Sequence, residues 1–208
     1  MNYEILSAFI LATSALAISP GPDNIFVLTQ SIANGTKYGL STTAGLISGC
    51  IVHTTLLAFG VSALIKENEQ IFFIIKLFGA IYLFFLAYKV YRTKVHITID
   101  NAEMPKKSPG QLFRQGFTMN VLNPKVTIFF LAFFPGFLFS DDLSTVIQFY
   151  ILGLIFMIVT FFIFSSISLL SGAIAIQIKK HSGIEVFLKW LQIVVFTGIG
   201  IFLLFSDN

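Results

Sequence analysis

The chain has 208 residues, of which 56% are hydrophobic and 11% are charged, and its net charge is +3. Because soluble domains usually carry about 25% charged residues, this composition excludes an ordinary soluble domain and indicates that most of the surface faces lipid. The single cysteine, Cys50, excludes a disulfide within the chain, and basic residues scattered among short loops give no continuous face for nucleic acid.

Six apolar segments follow one another along the chain, and each is long enough to cross a bilayer, which takes about 20 residues of helix. They cover roughly residues 4–33, 38–65, 70–91, 113–139, 144–171 and 184–205. The first segment is not expected to be a cleaved signal peptide, because Glu4 stands where a signal peptide has a basic region. The sequence therefore predicts an all-α polytopic membrane protein with six transmembrane helices in one membrane domain, residues 1–208.

Lysine and arginine residues collect on one side of this predicted bundle. Ten flank that side and two, Lys66 and Lys76, flank the other; the ten are Lys37, Lys89, Arg92, Lys94, Lys106, Lys107, Arg114, Lys179, Lys180 and Lys189. Basic loops remain in the cytoplasm, so the basic side is predicted to be cytoplasmic. With an even number of spans, both termini are then predicted outside and the loop 93–112 in the cytoplasm.

The loop 93–112 is the one linker-like stretch, and it divides the chain into residues 1–92 and 113–208 with three predicted spans each. An odd number of spans per half means that an internal repeat must have inverted topology, as in many secondary transporters. The fold is therefore predicted to consist of two inverted three-helix repeats.

Proline and polar residues interrupt the first span of each predicted repeat. One break runs Ser19-Pro20-Gly21-Pro22-Asp23-Asn24, and the other runs Asn120-Val121-Leu122-Asn123-Pro124-Lys125. Proline removes a backbone donor, and the freed carbonyls need partners that lipid cannot supply. Unwound helices near the middle of inverted repeats are where secondary transporters bind solutes. The candidate substrate-binding or gating residues are therefore Pro20, Gly21, Pro22, Asp23, Asn24, Asn120, Asn123, Pro124 and Lys125.

Asp23 and Lys125 are ionisable residues of opposite sign near the predicted middle of their spans. An isolated charge at that depth costs about 2.5 to 3.5 kcal/mol, so such residues usually pair or serve a function. We expect the two to face one another as an ion pair that opens for solute. The alternatives are a static pair that locks the two spans together, or a lysine that extends to the interface.

His53 lies near the middle of the second span and is a candidate proton relay, because imidazole exchanges protons near neutral pH. However, Ser41, Gly45, Gly49 and His53 recur every fourth residue, and such a stripe of small residues is typical of close helix packing. A structural hydrogen bond across that contact is therefore the alternative. The sequence contains no metal-ligand motif and no cofactor loop, so neither a metal site nor a cofactor is expected.

These features resemble the LysE/RhtB family of bacterial amino-acid exporters. The resemblance rests on the six hydrophobic segments, the Ser19 to Asn24 break, the glycine-rich second span, and the motifs Gly116-Phe117, Asn123-Pro124-Lys125 and Phe133-Phe134-Pro135. It implies an exporter of an amino acid or close analogue in a bacterial cytoplasmic membrane, driven by the proton gradient and assembled as a homodimer. Gly136 departs from the glutamine expected after Pro135, so the particular amino acid stays open.

The predicted mechanism is alternating access, in which the two halves rock about the breaks while Asp23 binds the substrate ammonium and Lys125 its carboxylate. The alternatives are an exporter of divalent cations or other small solutes, and an intramembrane enzyme. A cation site needs several carboxylate or thiol ligands at mid-membrane, and Asp23 with Cys50 supplies few. An enzyme needs a catalytic motif that the sequence does not contain, so the protein is predicted not to be an enzyme.

Overall fold

The computed structural model describes residues 2–61, 69–92, 107–180 and 182–205, and these residues are helical almost throughout. In this part of the chain the α-helices are α1 (Tyr3–Ile18), α2 (Pro22–Asn34), α3 (Thr36–Leu56), α4 (Glu69–Arg92), α5 (Pro109–Val121), α6 (Pro124–Phe133), α7 (Thr145–Leu169), α8 (Ser171–Lys180) and α9 (Ser182–Phe205). A π-helical turn, Leu57–Val61, continues α3, and a 3-10 turn, Phe134–Phe137, continues α6. The prediction of an all-α membrane protein is confirmed.

Four stretches are long and apolar enough to cross a membrane in one piece: one in α3 with its π-helical turn, and one each in α4, α7 and α9. The other two predicted spans are each a pair of helices joined at a break: α1 meets α2 at 57°, and α5 meets α6 with its 3-10 turn at 51°. Counting each bent pair as one span gives up to six candidate spans, as the sequence predicts. The inverted relation between the halves 1–92 and 113–208 stays a prediction.

Two boundaries differ from the sequence prediction. α5 begins at Pro109 rather than near 113, because Ser108 Oγ accepts a hydrogen bond from Gln111 N at 3.3 Å and Gln111 Oε1 accepts one from Ser108 N at 2.8 Å. Residues 109–112 therefore belong to a helix and not to the predicted linker 93–112. A short helix, α8, follows α7 where the prediction had only a connector. The predictions for residues 62–65 and 93–106 concern positions outside the described residues.

Hydrogen bonds join chain segments at both ends of the bundle. Beside Lys37, Ser168 Oγ of α7 donates to Thr36 O of α3 at 3.0 Å. This end is called the basic end below. At the opposite end, Asn2 N donates to Phe139 O at 2.8 Å and connects the start of α1 with the segment before α7. Three basic residues of the orientation prediction lie outside the described residues: Lys66, Lys94 and Lys106.

α3 and α5 pack closely along the small-residue stripe predicted on α3. Gly45 lies against the backbone carbonyl of Phe113, and Gly116 of α5 lies against the backbone of α3, so a Cβ at either glycine would collide with main chain. Gly49 lies against the Asn120 side chain. The predicted close packing is confirmed, and it holds the end of α5 against the middle of α3.

A cluster of buried phenylalanines fills the half of the bundle away from the basic end. Its rings stack or meet edge to face, as Phe130 does with Phe134 at 4.1 Å between ring centres. We call this cluster the aromatic plug; its members, from α1, α6 and the 3-10 turn, are Phe9, Phe129, Phe130, Phe133, Phe134 and Phe137.

Candidate functional site

The two helix breaks meet inside the bundle. Asn123, just before α6, donates a hydrogen bond from Nδ2 to Oδ2 of Asp23, in the first turn of α2, at 3.1 Å. Asn123 Oδ1 accepts from Lys125 N at 3.0 Å and so caps α6. Pro22 and Pro124 occupy the first positions of α2 and α6, where a backbone N–H is not needed. One side-chain contact therefore joins the predicted site residues of both halves.

Each break leaves a helix carbonyl that receives a side-chain donor. Asn24 Nδ2 donates to Ala17 O at 2.6 Å, and His53 Nε2 lies 3.1 Å from Asn120 O. Pro124 has no N–H to offer the carbonyl of Asn120, four residues before it, and this carbonyl accepts instead from Asn123 N at 3.0 Å and from His53. His53 thus holds a structural position across the α3–α5 contact, which was the alternative interpretation of the sequence. Its role as a proton relay stays a prediction.

The two opposite charges line the same space, and the described contacts include no direct ion pair between them. Asp23 Oδ1 is buried and accepts no hydrogen bond from the described residues. Lys125 Nζ lies 4.9 Å from the centre of the Phe196 ring, a cation–π contact. It also lies 3.3 Å from the point that a Cβ on Gly21 would occupy, so the glycine leaves room for the ammonium. Both charges therefore retain capacity for a group of opposite sign.

A small cavity of about 40 Å³ lies where these groups converge. Its polar lining residues are Asp23, Asn24, Cys50, Asn120, Lys125 and Thr160, and its apolar ones are Leu16, Ala17, Leu46, Val126, Phe129, Phe156 and Phe164. One water needs about 10 to 15 Å³ of such space, so the cavity holds a few water molecules and not an amino acid. A solute of that size enters only if the helices around the cavity move apart.

A second, larger space of about 660 Å³ opens toward the basic end. Its walls are formed by α2, α7, α8, α9 and the end of α1, and they are apolar except for Asn24, Ser166 and Gln177. We call it the basic-end groove. Asn24 lines both the groove and the small cavity, so the two spaces adjoin at this residue.

The structure distributes the predicted site residues over three positions. Asp23, Asn24, Asn120 and Lys125 line the cavity, Pro20 lines the groove, and the others shape the breaks: Gly21, Pro22, Asn123 and Pro124. Sequence reasoning missed the contribution of α7, whose cavity residues are Phe156, Thr160 and Phe164. A threonine in the middle of a very apolar span was the available signal, because polar groups at that depth are costly.

The described residues contain no group of three or more His, Cys, Asp or Glu side chains that could hold a metal ion. Asp23 and Cys50 both line the cavity, but their neighbours there are amides, a lysine and hydrocarbon. Divalent cations prefer several carboxylate or thiolate ligands, and an ammonium beside the site repels them. The geometry therefore gives little support to the divalent-cation alternative.

Comparison with known proteins shows that the chain is similar to translocators and efflux proteins. A family model described as LysE type translocator matches residues 14–207. A homoserine/homoserine lactone efflux protein of Salmonella typhimurium is 30% identical over 179 residues, which is 86% of each chain. A leucine efflux protein of Klebsiella pneumoniae is 28% identical over 180 residues, 86% of this chain and 82% of that protein. No solved structure shows a significant match.

Proposed function

The chain belongs to the LysE type translocator family, and we propose that it is a secondary transporter exporting amino acids or close analogues across a bacterial cytoplasmic membrane. The relatives named above are efflux proteins, so transport rather than catalysis is the proposed activity. The basic end is assigned to the cytoplasm by the distribution of lysine and arginine, which leaves both termini outside.

One observation carries the proposal: a buried carboxylate oxygen without a partner and a lysine ammonium line one cavity where two broken helices meet. Asp23 Oδ1 accepts no hydrogen bond from the described residues, and Lys125 Nζ rests on the Phe196 ring. Charges at this depth are costly alone, and a zwitterion relieves both at once. Its ammonium would bind Asp23, and its carboxylate would bind Lys125.

Alternating access follows from the contrast between the two halves of the bundle. The aromatic plug closes the side away from the basic end, whereas the basic-end groove reaches Asn24 at the wall of the cavity. A solute therefore enters from the cytoplasm by way of the groove, displaces Asn24 from Ala17 O and reaches the charges. Release to the outside then requires the plug to separate while the groove closes.

Proton drive and a homodimeric assembly complete the proposal. Asp23 and His53 are the two candidate proton carriers. Asp23 is favoured, because its Oδ1 is free to take up a proton whereas His53 is engaged with Asn120 O. A competition between substrate ammonium and proton for the same carboxylate would couple export to the proton gradient.

Efflux of radiolabelled amino acids from preloaded proteoliposomes tests the function. We expect Asp23→Asn and Lys125→Gln each to lower efflux by more than about tenfold, because hydrogen bonds to charged groups are worth about 1.5 to 3 kcal/mol. Asp142→Asn and Lys37→Gln also remove one charge each, at exposed positions, and serve as matched controls. Absence of efflux for basic, neutral and hydroxylated amino acids alike, with a correctly folded wild type, would reject the proposal.

A further inference from the structure

Thr160 of α7 brings a second buried, unpartnered oxygen to the wall of the cavity. Its side chain is 6% exposed, and Oγ1 has no hydrogen-bond partner among the described residues. Among the described buried side-chain oxygens without a hydrogen-bond partner, those of the cavity-lining residues are Asp23 Oδ1 and Thr160 Oγ1. Buried polar groups are nearly always hydrogen bonded in native proteins, so an orphan of this kind calls for a partner.

The Thr160 hydroxyl lacks the local hydrogen bond that other helical threonines make, a property that it shares with Thr13, Thr43 and Thr54; of these four, Thr160 is the one that lines the cavity. Thr29, Thr42 and Thr118 each donate to the carbonyl four residues earlier, at 2.9 to 3.0 Å. This local bond is the usual solution for a threonine inside a helix in lipid, where no water is available. Thr160 does not use the carbonyl of Phe156 in this way. Its hydrogen-bonding capacity is left for whatever occupies the cavity.

The residues around Thr160 indicate which solute the cavity would bind beside its hydroxyl. Phe156, Thr160 and Phe164 are spaced four residues apart, so α7 presents two aromatic rings with one hydroxyl between them. Asp23 and Lys125 reach the cavity from the other helices, α2 and α6. No second carboxylate lines the cavity within the described residues, so the cationic side chain of a basic amino acid would lack a counter-charge.

Resting on the proposed function, we propose that Thr160 determines specificity by hydrogen bonding to a hydroxyl on the substrate side chain. The favoured substrates are small neutral amino acids with a side-chain hydroxyl, held by Asp23 and Lys125 at the ammonium and carboxylate. A site built to bond a hydroxyl rejects an analogue without one, because the polar group of the protein is then buried unpaired. When an isosteric apolar amino acid is bound, the Thr160 hydroxyl stays buried without a hydrogen-bond partner.

Isosteric substrate pairs test this assignment. Full-length protein in proteoliposomes is assayed for efflux of threonine against valine, and of homoserine against norvaline. In the wild type we expect the hydroxylated member of each pair to leave faster. Thr160→Val, which replaces the hydroxyl by a methyl group, should lower the ratio of hydroxylated to apolar efflux by roughly tenfold, and Thr160→Ser should preserve it. Thr160→Ala provides the same measurement if Thr160→Val does not accumulate.

Thr54→Val is the matched control. Thr54 is also buried and unpartnered, but it packs against Gly153 and does not line the cavity, so its substitution should leave the ratio unchanged. Equal efflux of both pair members by the wild type, or an equal loss for both in Thr160→Val, overturns the assignment while amino-acid export still stands. Lack of efflux for every amino acid in the wild type overturns the export function and the assignment together.

Discussion

At the residue scale, the two helix breaks create the site, because backbone groups at the ends of the broken helices need partners that lipid cannot supply. Side chains of neighbouring helices donate to two of the carbonyls: Asn24 of α2 to Ala17 O of α1, and His53 of α3 to Asn120 O of α5. Each hydrogen bond therefore also fixes how two helices meet. Asn24 and Asn120 then line the cavity. The same interactions thus stabilise the breaks and build the wall of the binding space.

Substitutions at His53 separate its structural bond from a role in proton transfer. His53→Gln keeps a side-chain N–H but cannot carry a proton, so we expect near-normal stability and retained efflux driven by a pH gradient. His53→Leu removes one of the two donors to Asn120 O and should lower the free energy of unfolding by about 1 kcal/mol, because the carbonyl keeps its hydrogen bond from Asn123 N. Thermal unfolding in detergent and efflux at imposed pH gradients measure the two effects. A folded His53→Gln protein that no longer responds to the gradient would make His53 the proton relay.

At the element scale, the closeness of α3 and α5 determines where Asn120 and His53 meet. Glycines permit that distance, because the Gly45 position faces the carbonyl of Phe113 and the Gly49 position faces the Asn120 side chain. A wider separation would pull the His53 ring away from Asn120 O. The stripe of small residues therefore serves the site as well as the packing.

Paired glycine substitutions test this contact. Gly45→Ala puts a Cβ against backbone that cannot move aside, and we expect it to lower the free energy of unfolding by about 1 to 3 kcal/mol. Gly110→Ala, on α5, meets nothing within 4 Å, so helix propensity alone should leave stability unchanged or raise it by up to about 1 kcal/mol. Denaturant titration of the purified protein in detergent compares the two. Equal stability of both variants would show that α3 and α5 can separate without cost.

The elements that could be predicted from the sequence are those set by local chemistry. Apolar length predicts the spans, and the prolines at 20, 22 and 124 predict the breaks. The hydrogen bond from Asn123 to Asp23 joins residues 100 positions apart, so only tertiary packing reveals it. The position of Thr160 at the cavity could not be predicted for the same reason, since it depends on which face α7 turns inward. The start of α5 depends on the Ser108 capping box, which extends the helix into a polar stretch that hydrophobic length does not mark.

At the scale of the whole molecule, the bundle is asymmetric about its cavity. Aromatic rings fill one half, and an apolar groove opens in the other. Such an arrangement is what a transporter needs if one gate is to be shut while the opposite side is accessible. Asn24 lines both the cavity and the groove, so the two spaces adjoin at this residue.

The single cysteine offers a direct measurement of this asymmetry. Cys50 is buried and lines the cavity, and the sequence has no other thiol, so labelling with a small charged thiol reagent reports access to the cavity alone. We expect slow labelling of the empty protein, faster from the basic end than from the opposite face of oriented vesicles. Cys50→Ala supplies the background. Faster labelling from the face of the aromatic plug would contradict the proposal that the cavity opens through the basic-end groove.

The cavity of about 40 Å³ also has a physiological consequence. An exporter that stood open would drain metabolites that the cell has spent energy to make, and protons or ions moving along a continuous file of water would dissipate the membrane potential. With room for only a few waters and no solute, the idle protein conducts neither. Export then depends on a more open arrangement of the helices, which a solute favours by binding it better than it binds the closed one.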